Sequence, residues 1–181
     1  MNAMMPSEAQ GYAIWLTGLP CSGKSSIAER LAELFRSRNR RVEVLDGDVV
    51  RQRLSQELGF SEEHRNINVL RIGYVAKLLV NQGVVVIAAV VSPFEATRRA
   101  VRDEIRAFFE VHVDCPLSEC ERRDVKGMYA RARSGTLPGF TGVSSPYEVP
   151  SNPDIRIDTS EMSRDQAVEL IAHRVQAHFS L

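Results

Sequence analysis

The chain has 181 residues, and its 23 basic and 23 acidic side chains give a formal net charge of zero. This length fits one domain, and the apolar fraction of 44% with 25% charged residues is typical of a folded globular protein rather than a disordered one. The charge balance gives no reason to expect nucleic acid or an acidic membrane surface as a partner, and no apolar run approaches the roughly 20 residues that span a bilayer.

Residues 1–11 lack the apolar core of a signal peptide and are predicted to form a flexible N-terminal tail ahead of one domain, 12–181. The three cysteines, Cys21, Cys115 and Cys120, match neither a disulfide framework nor a Cys-x-x-Cys metal pair. Reduced thiols are therefore expected, which favours a cytoplasmic location.

Apolar runs typical of buried strands alternate with amphipathic stretches typical of helices. In chain order, the predicted elements are strand Tyr12–Thr17, helix Ser25–Arg38, strand Arg41–Leu45, helices Val49–Leu58 and Glu62–Val80, strand Val84–Val91, a helix opened by Ser92-Pro93, strand Phe109–Asp114, a helix from Pro116 to about Arg133, strand Ile155–Ile157 and helix Ser163–Phe179. This alternation predicts an α/β fold with a five-stranded parallel sheet and helices on both faces. The segment Ser134–Pro153, rich in Gly, Pro, Ser and Thr, is predicted to be a long functional loop.

The segment Gly18–Ser25 matches the phosphate-binding pattern G-x-x-x-x-G-K-[ST] and lies between a predicted strand and a predicted helix. Its glycines allow backbone N–H groups to face the phosphates, Lys24 supplies a charge to the β- and γ-phosphates, and the Ser25 hydroxyl can reach Mg²⁺. The predicted ATP-binding residues are Gly18, Leu19, Pro20, Cys21, Ser22, Gly23, Lys24, Ser25 and Ser26.

The remaining motifs favour a small-molecule kinase over a switch or a motor. The chain has no Asn-Lys-x-Asp guanine clamp, and Asp124–Gly127 fits the D-x-x-G switch pattern only inside a predicted helix. Strand Val84–Val91 ends in Ser92, where a motor ATPase usually carries Asp. Instead, Asp46 and Asp48 follow the second strand, where a carboxylate can receive the proton of an acceptor hydroxyl. A plain turn after the strand is the alternative interpretation of these two residues.

Together these stretches resemble adenylylsulfate kinase (APS kinase), from Tyr12 to the C-terminus. The matching stretches are Gly18–Ser25, Leu45–Asp48 with Arg51, Leu58–Ser61, Arg65 with Asn68, Ser92–Phe94, Val113–Leu117, Cys120–Asp124, Lys126–Tyr129, Phe140–Gly142 and Pro146–Glu148. The resemblance implies a three-layer P-loop kinase fold with a mobile lid at about 122–153. It also implies transfer of the γ-phosphate of ATP to the 3′-hydroxyl of adenosine 5′-phosphosulfate (APS), with Mg²⁺ as cofactor.

The resemblance also implies roles for individual residues. Asp48 resembles the group that activates the acceptor hydroxyl, and Lys24, Asp46 and Ser92 complete the predicted catalytic set. Arg51 and Arg65 resemble clamps for the phosphosulfate, a role that suits bidentate guanidinium groups. The predicted acceptor-binding residues are Asp48, Arg51, Phe60, Arg65, Asn68, Ser92, Lys126 and Phe140, with Phe60 and Phe140 on either side of the adenine.

By the same resemblance, the partners are ATP and APS, a homodimer is expected, and a functional link to an ATP sulfurylase is implied. The chain departs from the usual family pattern at His64, Leu70 and Val125 and in the segment Glu95–Thr97. These departures leave open a kinase for another small acceptor. A non-catalytic nucleotide-binding module that regulates a sulfate-activating partner is the remaining alternative.

Overall fold

A computed structural model describes residues 10–180, so the predicted tail lies outside the described residues apart from Gln10 and Gly11. In chain order the elements are β1 (Tyr12–Thr17), α1 (Lys24–Ser37), β2 (Val42–Asp46), α2 (Gly47–Leu54), α3 (Glu62–Val80), β3 (Val85–Ala89), α4 (Glu95–Ile105), β4 (Phe108–Asp114), α5 (Leu117–Arg123), α6 (Met128–Arg133), β5 (Ile155–Asp158) and α7 (Arg164–Phe179). None of the helices in this part of the chain combines the length and apolar character needed to cross a bilayer.

The strands form one parallel sheet in the order β2-β3-β1-β4-β5, which confirms the predicted five-stranded parallel sheet. Alternate residues of β1 point to opposite faces, as the pleat of a strand requires. Ile14 and Leu16 pack with α1 and α7, whereas Ala13 and Trp15 pack with α3 and α4. The result is three layers, with loops that follow β1, β2 and β3 gathered at one edge of the sheet.

The predicted helix from Pro116 to Arg133 is wrong, because the structure has two helices there, α5 and α6. Two residues between the helices, Asp124 and Gly127, cause the break. The Asp124 carboxylate accepts hydrogen bonds from the backbone N–H groups of Met128, at 2.8 Å, and Tyr129, at 3.1 Å, and so caps α6. Gly127 has a φ of 63°, in the left-handed region that glycine adopts without strain.

The helix that Ser92-Pro93 was predicted to open begins later, at Glu95. Its first N–H is satisfied by a distant group rather than a neighbouring one, because the Glu148 carboxylate accepts from the Glu95 backbone N–H at 2.6 Å. The segment that holds Glu148 contains no helix or strand between residues 134 and 153, as predicted. By contrast, the predicted capping box of the last helix is confirmed, with Ser163 and Gln166 bonded reciprocally.

Candidate active site

The phosphate-binding loop joins β1 to α1 and depends on two glycine conformations. Gly18 and Gly23 have φ values of 155° and 99°, which L side chains rarely adopt. A Cβ at Gly18 would also lie 2.3 Å from the Val113 carbonyl oxygen. The loop therefore folds tightly over the end of β4, and its N–H groups lead into the positive end of the α1 dipole, a suitable place for an anion.

Lys24 is buried, and its Nζ donates to two carbonyl oxygens of the loop, Gly18 at 3.0 Å and Leu19 at 2.7 Å. Burial lowers the pKa of Lys24 to about 8, against the opposing effect of nearby thiols and of the Asp46 and Asp48 carboxylates. Its ammonium group is engaged by the loop itself, so reaching a phosphate requires a rotation of the side chain.

Ser25 and Asp46 lie side by side, with the Ser25 hydroxyl donating to Asp46 Oδ2 at 2.6 Å. The other oxygen of Asp46 accepts from the Asp48 backbone N–H at 2.9 Å, which caps α2. Asp46 is thus fixed by the helix that follows it. A hydroxyl and a carboxylate are oxygen ligands of the kind that Mg²⁺ takes together with substrate phosphates, so this pair fits the predicted metal.

Asp48 projects from the first turn of α2 and forms an ion pair with Lys126 Nζ at 2.5 Å. Both side chains are well exposed, at 68% and 62%. The hydrogen bond and the charge of Asp48 raise the pKa of Lys126. Lys126, which lies in the predicted lid, is therefore in direct contact with Asp48, the residue predicted to activate the acceptor hydroxyl.

Arg51 and Arg65 both approach the Phe60 ring, with guanidinium carbons 4.7 and 5.7 Å from the ring centre. Arg51 Nη1 donates to the carbonyl oxygens of Leu58, at 3.1 Å, and Gly59, at 2.8 Å. Arg65 Nε donates to the Phe60 carbonyl at 2.8 Å. Burial lowers the pKa of both arginines, and the nearby charge of Arg51 lowers that of Arg65 further. The half-exposed Phe60 ring thus lies close to two cations.

Arg65 also connects this region to a segment 74 residues further along the chain. Its guanidinium donates to Thr141 Oγ1 at 2.6 Å and to the Gly139 carbonyl. Next to them, Phe140 is buried and packs edge-to-face on Tyr129, with ring centres 4.9 Å apart. The two predicted adenine-binding rings thus differ, since Phe60 is 52% exposed and Phe140 only 6%.

Asn68 and Ser92 are both buried. Asn68 Oδ1 has no hydrogen-bond partner among residues 10–180. Ser92 Oγ, by contrast, accepts from Trp15 Nε1 at 3.1 Å and donates to Thr17 Oγ1 at 3.0 Å. Ser92 has a φ of 37°, an uncommon value for a residue with a side chain. Its hydroxyl is therefore part of an internal hydrogen-bond network. The prediction that a helix starts at Ser92 is wrong, because α4 begins at Glu95.

Most predicted site residues line a single cavity of about 590 Å³. The predicted residues that line it are Pro20, Cys21, Gly23, Lys24, Ser25, Ser26, Asp46, Asp48, Arg51, Phe60, Arg65, Asn68, Ser92, Lys126 and Phe140. Three residues of the predicted ATP-binding set, Gly18, Leu19 and Ser22, are not among the lining residues, and Leu19 instead borders a separate open groove. The structure thus brings the phosphate loop and the predicted acceptor residues to one space.

Sequence reasoning missed Arg98, which supports the wall of this cavity. Arg98 is fully buried and donates to the carbonyl oxygens of Ser92, at 2.7 Å, and Glu148, at 2.8 Å. It also pairs with buried Glu110, whose pKa is raised by burial, at 3.1 Å. The spacing of the sequence could have indicated this role, because Arg98, Val101 and Ile105 share one helical face. An arginine on an apolar face needs a buried partner.

Sequence reasoning also missed Thr141 as a partner of Arg65, and Arg123, which lines the cavity and donates to the Thr159 carbonyl at 2.7 Å. These contacts join residues 76 and 36 positions apart. No local pattern indicates such pairs.

Residues 10–158 match the family model of adenylylsulphate kinase. An adenylyl-sulfate kinase of Bacillus pumilus is 49% identical over 90% of this chain and 84% of its own length. One from a Synechococcus strain is 45% identical over 93% of this chain and 96% of its own. Among solved structures, the APS kinase of Mycobacterium tuberculosis in complex with AMPPNP and APS is 40% identical, with a TM-score of 0.88 over 92% of this chain and 98% of that one. Shikimate kinase from Aquifex aeolicus, at 18% identity and a TM-score of 0.56, shares the fold.

Proposed function

This chain belongs to the adenylylsulphate kinase family, and from that premise we propose how its cavity performs the family's reaction. The enzyme phosphorylates APS with ATP. The γ-phosphate passes to the 3′-hydroxyl, giving 3′-phosphoadenosine 5′-phosphosulfate and ADP. One observation carries the assignment of roles: a single cavity joins the phosphate loop to a wall of arginines, an aromatic ring and a carboxylate. A donor and an acceptor can therefore meet in it without an intermediate carrier.

The donor half consists of the loop 18–26 and Asp46. Lys24 leaves the loop carbonyls to contact the phosphates, where a positive charge stabilises the transferring group. Ser25 and Asp46 would hold Mg²⁺ together with the phosphates, which is supported by the hydrogen bond between them and by their oxygen-only chemistry. When bound, Mg²⁺ neutralises charge that develops on the phosphate oxygens.

Asp48 receives the proton of the acceptor hydroxyl. It stands in the first turn of α2, two residues after Asp46, and its carboxylate is exposed to the cavity. Its ion pair with Lys126 has to open before the hydroxyl can approach, and the released ammonium is then free to contact a phosphate. Lys126 thus exchanges one anion for another during the reaction cycle.

The acceptor half uses charge for the phosphosulfate and an aromatic face for the purine. Arg51 and Arg65 place two cations beside Phe60, which supports binding of an anion next to a stacked ring. Phe140 also lines the cavity, and Asn68 can offer the acceptor its amide oxygen, which has no hydrogen-bond partner among residues 10–180. We assign Ser92 to the wall between the halves, because its hydroxyl is already engaged by Trp15 and Thr17.

The segment 122–153 closes over both substrates. Three contacts support this proposal: Lys126 pairs with Asp48, Arg65 bonds to Gly139 and Thr141, and the Tyr129 hydroxyl donates to the Pro20 carbonyl at 2.9 Å. The segment therefore contacts both halves at once. Limited proteolysis should cleave it more slowly with ADP and APS present, and an unchanged rate would count against closure.

A coupled assay of ADP release tests the function directly. APS should give turnover well above the ATPase background, and a panel of nucleoside monophosphates and small alcohols should not. Turnover with another acceptor but not with APS would overturn the substrate assignment. Product analysis should find the new phosphate on the 3′-hydroxyl.

Assembly as a homodimer, a functional link to an ATP sulfurylase and a cytoplasmic location stay predictions. A matching APS kinase from Thiobacillus denitrificans is hexameric, and this chain covers 30% of its length. Sedimentation equilibrium of the purified chain distinguishes a dimer from a hexamer or a monomer.

A further inference from the structure

Three side chains hold the backbone of the short loop that carries Phe60. Arg51 donates to the Leu58 and Gly59 carbonyls, and Arg65 donates to the Phe60 carbonyl. His64 makes the remaining contact, and it accepts where the arginines donate: its Nδ1 accepts a hydrogen bond from the Gly59 backbone N–H at 2.9 Å. Of these three side chains, only His64 acts as an acceptor, and only an acceptor nitrogen can lose its hydrogen bond by taking up a proton.

The contact between His64 and Gly59 is close. A Cβ added at Gly59 would lie 3.2 Å from His64 Nδ1, tighter than most real contacts of that kind. The missing side chain at Gly59 is therefore what lets the imidazole approach the backbone. Ser61 caps the same helix by accepting from the His64 backbone N–H at 3.2 Å, so the imidazole starts from a fixed position in the first turn of α3.

Charged side chains from α2 and α3 bind the loop that His64 contacts. His64 lies at the N-terminal end of α3, where the helix dipole opposes positive charge. Arg51 from α2 and Arg65 from α3 bind the same loop, so a protonated His64 adds a third cation. The carboxylates of Glu62 and Glu63 lie in the same turn and act in the opposite direction.

Glu57 lies in the loop before α3. The hydrogen bond from Arg71 is the main cause that lowers the pKa of Glu57, and the nearby charge of His64 contributes a smaller effect. The Glu57 carboxylate is already paired with Arg71 at 2.5 Å. The negative charge of Glu57 is therefore shared between Arg71 and His64. The hydrogen bond to Gly59 has no such compensation, since a proton on Nδ1 sets two N–H groups against each other.

We propose that His64 is a positioning residue for the acceptor: its neutral imidazole holds Gly59 and Phe60 in place, and protonation at Nδ1 weakens acceptor binding while ATP binding is spared. The inference rests on the proposed contact between Phe60 and the acceptor.

The test compares KM for APS with KM for ATP at about pH 8 and about pH 5.5, the two sides of ordinary histidine titration. In the wild type, KM for APS should rise about fivefold on acidification, the equivalent of one neutral hydrogen bond. His64→Asn keeps an acceptor oxygen near the Nδ1 position and does not titrate, so it should remove most of this rise. His64→Leu should give the raised KM at both pH values.

Gly59→Ala provides a second variant, because the added methyl group would lie 3.2 Å from His64 Nδ1 and push the imidazole outward by a few tenths of an ångström while His64 remains. It should raise KM for APS at about pH 8 in the same direction as His64→Leu. Thermal unfolding of each variant checks that the fold is intact. The inference is overturned if both variants keep the wild-type KM for APS, or if His64→Asn retains the full pH dependence.

Phe60→Ala separates this inference from the proposed function. If Phe60→Ala leaves KM for APS unchanged while His64→Leu raises it, the role of Phe60 fails and His64 acts through Arg51 and Arg65. If Phe60→Ala raises KM for APS and the His64 and Gly59 variants do not, the positioning role of His64 fails alone.

Discussion

The two halves of the cavity are built in different ways. Apart from Asp46, the donor half is one continuous segment, 18–26. The shape of this segment depends on glycine backbone conformations, and its one charged side chain, Lys24, is satisfied by the loop itself. The acceptor half is assembled from α2, from the start of α3 and from residues 139–141. Its guanidinium groups bind carbonyl oxygens of the neighbouring loop 58–60 and of Gly139, which lies 74 residues from Arg65. The donor half therefore depends on local geometry, and the acceptor half on tertiary contacts.

This difference predicts different responses to mutation. A change in the acceptor half alters both a substrate contact and the position of neighbouring loops, because the same arginine serves both. A change in the donor half should affect the nucleotide with little effect on the acceptor. Measuring both KM values and kcat for each variant distinguishes these outcomes.

The largest expected effect is on the chemical step. Asp48→Ala should lower kcat by at least about 10²-fold, the low end for a positioned acid–base group, with KM for ATP little changed. The ion pair of Asp48 with Lys126 is exposed, so its loss should cost no more than about 1 kcal/mol of stability.

Lys126→Ala is the comparison for Asp48→Ala, since it removes the same ion pair and keeps the carboxylate. Because Lys126 is itself proposed to contact a phosphate, its removal should also lower kcat, but less than the removal of Asp48 does. An equal loss would contradict a separate proton-accepting role for Asp48. A near-normal rate in Asp48→Ala would remove Asp48 from the chemistry altogether.

Arg65→Lys should raise KM for APS about 10- to 100-fold, as expected when one or two hydrogen bonds from a charged group are lost. A lysine cannot reproduce the fork that joins Phe60, Gly139 and Thr141. KM for ATP should change by less than about twofold, which is well below the effect of losing one such hydrogen bond. Arg71→Lys, on the same helix and in an exposed pair with Glu57, is the matched control and should change neither KM. An equal rise in both KM values for Arg65→Lys would contradict the division into two halves.

The donor half should respond to pH through Lys24. Its pKa of about 8 means that the ammonium is charged below that value and neutral above it. Nucleotide binding needs the charged form, so ADP affinity should fall above about pH 8 and approach a tenfold loss per pH unit. The phosphates are already fully ionised there and do not contribute.

Calorimetry in buffers of different ionisation enthalpy should detect uptake of a proton when ADP binds near pH 8. Lys24→Met removes the group and should abolish the pH dependence along with most of the affinity. A wild-type affinity that is constant across this range would show that Lys24 binds phosphate without a change in protonation.

The sequence was sufficient to predict elements whose pattern is local. The predicted strand Val84–Val91, observed over Val85–Ala89, and the capping box at Ser163 are confirmed because periodicity and capping depend on neighbouring residues. The helix break at Asp124–Gly127 was missed because the continuing amphipathic pattern outweighed a capping aspartate and a glycine.

The acceptor half could be predicted only through the resemblance, since its contacts join residues far apart in the sequence. Nothing near Arg98 indicates that Glu148, 50 residues away, satisfies it. Likewise, the sequence showed His64 only as a departure from a family pattern. Its contact with Gly59 required the positions of both residues in the folded chain.

The smallest expected effect on rate is at Ser92, which lies in the wall where the halves meet. Ser92→Ala leaves the buried Trp15 Nε1–H without its acceptor, so it should cost about 1–3 kcal/mol of stability. The loss of kcat should be far smaller than for Asp48→Ala. A direct transfer needs no covalent phosphoserine, so intact-mass analysis after incubation with ATP should find no added phosphate on the wild type. A phosphoenzyme that forms with ATP and disappears with APS, together with an inactive Ser92→Ala, would make Ser92 a third centre between the two halves.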